Sequence, residues 1–89
     1  MNYFVYLIIS TNSTKYTSYV GYTSNLKRRI KLHNSSKGAK FTRGRLWKLI
    51  YKKKYKNKII AMKEEYLLKK NFKLRKEIKQ NYIRNVGKK

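Results

Sequence analysis

The sequence has no cysteine, and its acidic residues number only three, all of them glutamates. Without cysteine the chain can form neither a disulfide nor a thiolate zinc site. A two-metal nuclease site or a glycosidase site is disfavoured, because each needs at least two converging acids. No apolar run approaches the ~20 residues of a membrane span, and the apolar start lacks the basic region and cleavage site of a signal peptide. We therefore expect an intracellular protein with no membrane and no disulfide partner.

Positive charge dominates what the sequence does contain. Twenty-five lysines and arginines against three acids give a formal net charge of +22, which favours a phosphate-rich partner. Nine tyrosines, three phenylalanines and one tryptophan accompany these cations, whereas a disordered basic tail is poor in aromatic residues. Because 89 residues leave room for one core only, we expect a single folded domain over residues 1–89.

Three segments predict the strands of a small sheet. Residues 3–9 (YFVYLII) are dense in aromatic and β-branched side chains and predict a central strand covered on both faces. The polar residues 10–18 predict a long hairpin loop, and residues 19–22 a second strand. Residues 46–51 (LWKLIY) predict a third strand, after which the basic run 52–58 is expected to end the sheet in solvent.

A basic helix is predicted directly after the second strand. Gly21 has no Cβ and lets another group approach the backbone closely, as the wall of a site would require. Ser24 or Asn25 can cap the first turn of the helix. Arg29 and His33, four residues apart, form a stripe at the edge of its apolar face. One helix can thus aim cationic or proton-carrying groups past the glycine.

The remaining segments predict a basic loop and a long helix. Residues 34–45 combine small residues, glycines and cations, which is typical of a loop with its charge held outward. The cations expected to contact a phosphate backbone without reading sequence are Lys27, Arg28, Lys37, Lys40, Arg43 and Arg45. Residues 59–81 have a helical pattern, with an apolar stripe that comprises Ile60, Leu67, Leu74 and Ile78. Glu64 and Glu65 lie on this segment, and helical geometry leaves them nearly equal as site carboxylates.

Five short motifs occur in order along nearly the whole chain. They are FVYL (residues 4–7), YVG (19–21), NLKRRIKLH (25–33), KGAKFTRGRLWKLIY (37–51) and AMKEEYLLKK (61–70). Together they resemble the GIY-YIG endonuclease superfamily, in particular its small single-domain bacterial members and the nuclease domain of eukaryotic structure-specific endonucleases. The resemblance implies an α+β fold with a three-stranded sheet flanked by helices.

The resemblance also implies a reaction, which is hydrolysis of a DNA phosphodiester with one Mg²⁺ or Mn²⁺ ion. The catalytic residues that it implies are Tyr6, Tyr19, Arg29, His33 and Glu65. Glu65 is the implied metal ligand, and Arg29 is expected to stabilise charge on the phosphorane. Either tyrosine can be the base that takes a proton from water, and we favour Tyr6 with Tyr19 as its partner. Because a phenol is a weak base at neutral pH, a neighbouring cation or His33 has to assist it.

Two classes of function remain open. The first is a divalent-metal-dependent DNA endonuclease, selective for DNA structure because the chain has no added DNA-reading domain, and acting in repair or recombination. The second is a catalytically inactive, basic nucleic-acid-binding protein, in which Glu65 simply pairs with Lys69 four residues on. We expect an intracellular, DNA-containing compartment, with cytoplasm or nucleoid, nucleus and organelle all left open. A protein scaffold is compatible with either function but is not indicated by the sequence.

Overall fold

The computed structural model describes residues 1–12 and 15–86. The strands and helices of this part are β1 Tyr3–Asn12, β2 Lys15–Thr23, α1 Leu26–Asn34, β3 Lys48–Tyr55, α2 Lys58–Lys70 and α3 Phe72–Val86. A 3₁₀ turn, Lys40–Thr42, lies between α1 and β3. None of the helices in the described part is long and apolar enough to cross a bilayer. The predicted α+β class, a three-stranded sheet flanked by helices, is confirmed.

β1 is the central strand, and both neighbours run antiparallel to it in the order β2-β1-β3. Successive side chains of a strand point to opposite faces of its sheet. Val5 and Leu7 accordingly belong to a core with α2, whereas Tyr6 and Ile8 belong to a second core with Trp47. Residues 5–10 are all buried, which confirms the prediction of a central strand covered on both faces.

α1 and α2 lie on opposite faces of this sheet. α1 begins where its pattern predicts, with the Asn25 side chain accepting a hydrogen bond from the Arg28 backbone N–H. Leu26 and Ile30 then pack on the face that carries Tyr6. α2 packs on the other face with α3 beside it. Residues of α1 and α2 that share a site must therefore meet at an edge of the sheet.

The predicted hairpin loop and the predicted end of the third strand are wrong. Within the predicted loop, residues 10–12 and 15–18 belong to the β1–β2 ladder, and the two residues between them lie outside the described part of the chain. Residues 52–55 continue β3 instead of ending the sheet. Threonine and tyrosine favour extended backbone, and lysines on an edge strand keep their ammonium groups in water while the backbone pairs with its neighbour.

The predicted single helix over residues 59–81 is also wrong, because Asn71 divides it. The Asn71 backbone is not helical (φ −90°, ψ 76°), and its N–H bonds to the Leu68 carbonyl at the end of α2. Its side chain accepts a hydrogen bond from the Leu74 N–H in the first turn of α3. Asparagine favours such positions because its side chain competes for backbone N–H groups.

The interruption also moves the buried face of α2. Ile60 and Leu67 from the predicted stripe are each 49% exposed, whereas Ala61 is 0% and Leu68 6% exposed. A helical wheel drawn through residues 59–81 assumes one continuous helix axis. Including the apolar residues of α3 in that wheel therefore shifted the predicted buried positions of α2 by one residue. The buried positions of α2 are therefore Ala61 and Leu68, whereas Ile78 of the predicted stripe packs against the same core from α3.

Candidate active site

Tyr6 and Gly21 face each other across the β1–β2 ladder. Paired residues of an antiparallel ladder point to the same face of the sheet, so the ring of Tyr6 occupies the space that a side chain at Gly21 would need. A Cβ added at Gly21 would lie 2.6 Å from Cζ of Tyr6. The close approach predicted at this glycine is thus made by a tyrosine of the chain itself, and Tyr6 is 0% exposed.

The Tyr6 hydroxyl ends a buried chain of hydrogen bonds. Its oxygen lies 2.7 Å from Nε2 of His33, and Nδ1 of His33 lies 2.9 Å from Oγ1 of Thr42. Thr42 belongs to the 3₁₀ turn, and its hydroxyl donates to the Ala39 carbonyl at 2.8 Å. Like Tyr6, His33 and Thr42 are fully buried. His33 therefore joins the central strand to the turn that follows α1.

The available hydrogen-bond donors determine which group donates and which accepts in each of these hydrogen bonds. Nε2 of His33 is the only acceptor for the Tyr6 O–H among the described residues, so the phenol donates to it. Nε2 then bears no hydrogen, and Nδ1–H of the neutral imidazole donates to Thr42. The Thr42 hydroxyl hydrogen is used on the Ala39 carbonyl. We infer a neutral His33 whose Nε2 lone pair faces the phenolic proton of Tyr6.

Burial keeps both members of the Tyr6–His33 pair uncharged. It raises the pKa of Tyr6 to about 12. It also lowers the pKa of His33, and the positive charge of Arg29 adds to that lowering. The Arg29 guanidinium beside the phenol opposes the rise in the pKa of Tyr6, whereas the negative charge of Glu65 adds to it. Arg29 and Glu65 thus act on one phenol, although they come from opposite layers of the fold.

Tyr19 connects this buried pair to an open groove. Its ring meets that of His33 edge to face, with centroids 5.2 Å apart. The ring of Phe41 stacks on Tyr19 at 6.1 Å, with 22° between the planes. These two aromatic residues and Lys69 line a groove of about 320 Å³. Tyr19 is half-buried and reaches this groove, whereas Tyr6 is covered.

The neighbouring glutamates of α2 have different surroundings. The carboxylate of Glu65 is 18% exposed and lies 3.4 Å from Nζ of Lys69, and its charge acts on Tyr6. Glu64 instead accepts a hydrogen bond from the Tyr55 hydroxyl of β3 at 3.4 Å. Of the two, Glu65 is the one whose charge reaches the predicted site.

The surroundings of Glu65 fit a hydrated Mg²⁺ ion. Within residues 1–12 and 15–86, no three histidine or glutamate side chains converge on one point, so that part holds no closed metal cage. Mg²⁺ commonly binds one or two carboxylates and completes its octahedron with water and phosphate oxygens of the substrate. A partly exposed carboxylate whose ion-pair partner lines a groove meets that requirement.

The predicted phosphate contacts do not form one surface. The exposed members are Lys27, Arg28, Lys37, Lys40 and Arg43. Lys40 and Arg43 flank the turn that carries Phe41, whereas Lys27 lines a different groove on the α1 face. Arg45 is half-buried, and its guanidinium donates to Oγ1 of Thr17 at 3.2 Å. The structure thus brings the five catalytic candidates together but spreads the cations more widely.

Three residues that help to position His33 are missing from the sequence-based site. Thr42 bonds to Nδ1 of His33, and Nε1 of Trp47 holds the turn by donating to the Thr42 carbonyl at 2.9 Å. Gly38 leaves room for the imidazole, since an added Cβ would lie 2.9 Å from Cε1 of His33. A threonine in a basic loop gives no sequence signal for this role. A glycine does, because it marks a place where another group can come close.

A family model of the GIY-YIG catalytic domain matches residues 2–79. The chain belongs to the GIY-YIG family. This match runs from the start of β1 into α3, and so it covers every element that carries one of the five catalytic candidates. The family suggested by the motifs is confirmed, while the individual roles of the five residues stay predictions.

The relatives of this GIY-YIG protein are similarly small. A UPF0213 protein of Oceanobacillus iheyensis is 44% identical over 68 residues, which cover 75% of this chain and 76% of the relative. A UPF0213 protein of Pediococcus acidilactici is 41% identical over 88 residues, covering 96% of this chain and 84% of the relative. A solution NMR structure of a UPF0213 protein from Bacillus halodurans is 41% identical, covers 86% of this chain and 80% of its own, and superposes with a TM-score of 0.46.

Proposed function

We propose that this GIY-YIG protein is a divalent-metal-dependent DNA endonuclease that acts on branched or nicked DNA in repair or recombination. One observation carries the proposal. The buried phenol of Tyr6 donates to a neutral His33, and the charges of Arg29 and Glu65 act on the same phenol. Any buried phenol needs one hydrogen-bond acceptor, but a tyrosine that only fills a core does not also need a guanidinium and a carboxylate whose charges act on its hydroxyl.

The Tyr6–His33 pair gives the attacking water a place to lose its proton. Because the pKa of Tyr6 is raised to about 12, its phenolate is scarce at neutral pH. A water proton can instead pass to the Tyr6 oxygen while the Tyr6 proton passes to Nε2 of His33. Tyr6 stays a neutral phenol, and His33 carries the positive charge. The water oxygen bonds to phosphorus, the bond from phosphorus to the 3′ oxygen breaks, and that oxygen takes up a proton from solvent.

Arg29 serves both the phenol and the phosphate in this scheme. In the free protein its guanidinium lies beside the covered Tyr6 hydroxyl. A phosphate in the neighbouring groove would attract the guanidinium, which would stabilise charge developing on the phosphorane. A divalent cation at Glu65 would supply further positive charge at the phosphate and its leaving oxygen.

The second candidate is a basic nucleic-acid-binding protein without chemistry. The observation in its favour is the ion pair between Glu65 and Lys69, 3.4 Å apart, in which the predicted metal ligand already has a cationic partner. Such a pair four residues apart on an exposed helix is worth only about 0.3–0.5 kcal/mol. A divalent cation or a phosphate can therefore separate the two side chains readily.

The test is cleavage of a DNA panel by the wild-type protein. Duplex, nicked, flapped and four-way DNA are incubated with Mg²⁺, with Mn²⁺ or with EDTA. We expect cutting of the branched or nicked forms with either metal and none with EDTA. Binding of every DNA without cutting under any condition would replace the nuclease proposal by the second candidate.

Glu65→Gln and Glu64→Gln form a matched pair for the same assay. Each removes one negative charge from α2 and keeps the size of the side chain. Glu65→Gln is expected to lower the cleavage rate by about 10² or more while DNA binding stays equal or tightens, because a carboxylate no longer repels phosphate. Glu64→Gln, next to Tyr55, is expected to cut at close to the wild-type rate. Equal rates for the two variants would remove Glu65 from the metal site.

A further inference from the structure

The groove beside Tyr19 continues along α3. Besides Tyr19, Phe41 and Lys69, its lining includes Ser18 and Arg75. A second groove, also about 320 Å³, is lined by the same Ser18 and Arg75 and extends along α3. Because the two grooves share two residues, they form one trough, which runs from the candidate active site along the third helix. We call it the α3 trough.

The α3 trough is lined by cations. They are Lys69 at the end near Tyr19, Arg75 in the middle, and Lys76 and Lys79 at the far end. No carboxylate is among its described lining residues. Arg75 is fixed there, because its Nε donates to the Leu68 carbonyl at 3.1 Å. A row of cations along a trough tracks a phosphate backbone and not a single phosphate.

Each of the two grooves that form the trough is lined by an exposed phenylalanine ring. Phe41 is 54% exposed and Phe72 is 66% exposed. Phe41 stacks on Tyr19 with one face, and the guanidinium of Arg75 lies over Phe72, 5.7 Å from the ring centroid. In a duplex the faces of the bases are covered by their neighbours. Aromatic rings beside a cationic track therefore suit unpaired bases, which stack on such rings whatever their sequence.

We propose that the α3 trough binds an unpaired DNA strand, with Phe41 as the platform for a base next to the cleavage site and the α3 cations along the backbone. The inference rests on the proposed function for its biological meaning, since it gives the endonuclease a means of choosing DNA that carries a single-stranded branch. Binding of the strand itself does not require cleavage. The two proposals can therefore fail separately.

The first experiment measures binding in EDTA by fluorescence anisotropy. Wild-type protein is titrated with a blunt duplex and with a duplex of equal nucleotide count that carries a single-stranded overhang. We expect tighter binding of the overhang, and Phe41→Leu is expected to remove about 5-fold or more of that preference, the lower end of one base–aromatic stacking contact. Phe41→Tyr keeps a ring and should keep the preference. Leu46→Ala, which removes another exposed apolar side chain close by in sequence, should not alter it.

The second experiment compares two double variants with the same loss of charge. Lys76→Gln with Lys79→Gln removes cations of the trough, whereas Lys54→Gln with Lys56→Gln removes exposed cations outside its lining. The first pair is expected to weaken overhang binding more than blunt-duplex binding, and the second pair to weaken both alike. Circular dichroism spectra confirm that each variant is folded.

Either of two results overturns the α3 trough as a strand-binding site. One is equal affinity of the wild type for blunt and overhang DNA, and the other is an equal loss of both affinities in Phe41→Leu. If the wild type prefers overhangs but cuts no DNA with Mg²⁺ or Mn²⁺, the trough stands and the endonuclease proposal fails. If it cuts DNA without preferring overhangs, the endonuclease stands and the trough proposal fails.

Discussion

At the scale of single residues, His33 ties the stability of the fold to pH. It is the one histidine of the chain, and burial together with Arg29 lowers its pKa. In the unfolded chain a histidine titrates near pH 6.5, so below that value the unfolded state binds more protons than the native state. The stability that neutral His33 contributes is therefore complete above about pH 6.5 and is lost as the pH falls through the lower native pKa.

Urea unfolding between about pH 8 and pH 5 measures this contribution through the change of the unfolding free energy. We expect that free energy to fall with decreasing pH in the wild type. The unfolding free energy of His33→Gln should be lower than that of the wild type at about pH 8. Below about pH 6.5 it should change less with pH than that of the wild type, since no imidazole is left to protonate. The same slope in both proteins would show that His33 is not held neutral by the fold.

The two tyrosines are separated by removing one hydroxyl at a time. Tyr6→Phe keeps the ring over Gly21 but deletes the donor to His33, and we expect a loss of about 10² or more in single-turnover cleavage rate. Tyr19→Phe keeps the edge-to-face contact with His33 and should cost less, because its hydroxyl is not bonded to that histidine. Wild-type rates in both variants would remove tyrosine from the mechanism.

At the scale of elements, the loop after α1 contains two positions at which the structure requires glycine for different physical reasons. Gly38 has the His33 imidazole against it, whereas Gly44 has open space around it but a φ of +72°. We expect Gly38→Ala to displace His33 and to lower the cleavage rate by about 10-fold or more, since small misplacements of reacting groups are costly. Gly44→Ala should leave the rate unchanged and lower stability by about 1–2 kcal/mol through backbone strain.

Single-turnover kinetics and thermal melting, applied to both glycine variants, check this contrast. The expected pattern is a rate defect in Gly38→Ala and a stability defect in Gly44→Ala. If Gly38→Ala cleaves like the wild type, the closeness of Gly38 to His33 has no functional consequence.

The order and type of the strands could be predicted from sequence because they depend on local side-chain pattern. Residues 3–9 already contain the apolar density of a strand buried on both faces, and Asn25 signals the start of α1. The hairpin residues 10–18 and the lysines of β3 could not be placed, because pairing with β1 overrides their polarity. The break at Asn71 did have a local signal, because asparagine is a common capping residue at helix ends. The apolar periodicity on both sides of Asn71 made the segment resemble one continuous helix.

The candidate site was predictable only in part for a related reason. Tyr6, Tyr19, Arg29, His33 and Glu65 came from motif positions, and the structure places them around one phenol. The contact of Thr42 with His33 and the position of the α3 cations along the trough depend on tertiary neighbours that no local pattern reveals. The direction of the Tyr6–His33 hydrogen bond likewise depends on Thr42 and Ala39, which lie in the loop beyond α1.

At the scale of the whole molecule, the net charge of +22 predicts binding that depends steeply on salt. Each lysine or arginine that contacts a phosphate releases a counterion, so log affinity falls linearly with log salt concentration. We expect Lys40→Gln with Arg43→Gln to weaken all DNA forms alike and to reduce the slope by about 2. Lys40→Arg with Arg43→Lys keeps both charges and should keep the slope. An affinity that does not change with salt would contradict this electrostatic account.

Phe41 and Thr42 are consecutive residues of one turn, so the same short backbone segment carries the ring proposed to bind a strand and the hydroxyl that partners His33. The turn exposes the Phe41 ring while its next side chain decides which nitrogen of His33 carries hydrogen. If the turn swings outward, the imidazole loses its partner at Nδ1, and a change of tautomer would then present an N–H to Tyr6 and leave no acceptor there. A strand bound at Phe41, as proposed for the α3 trough, would hold the same turn that keeps Thr42 at Nδ1 of His33.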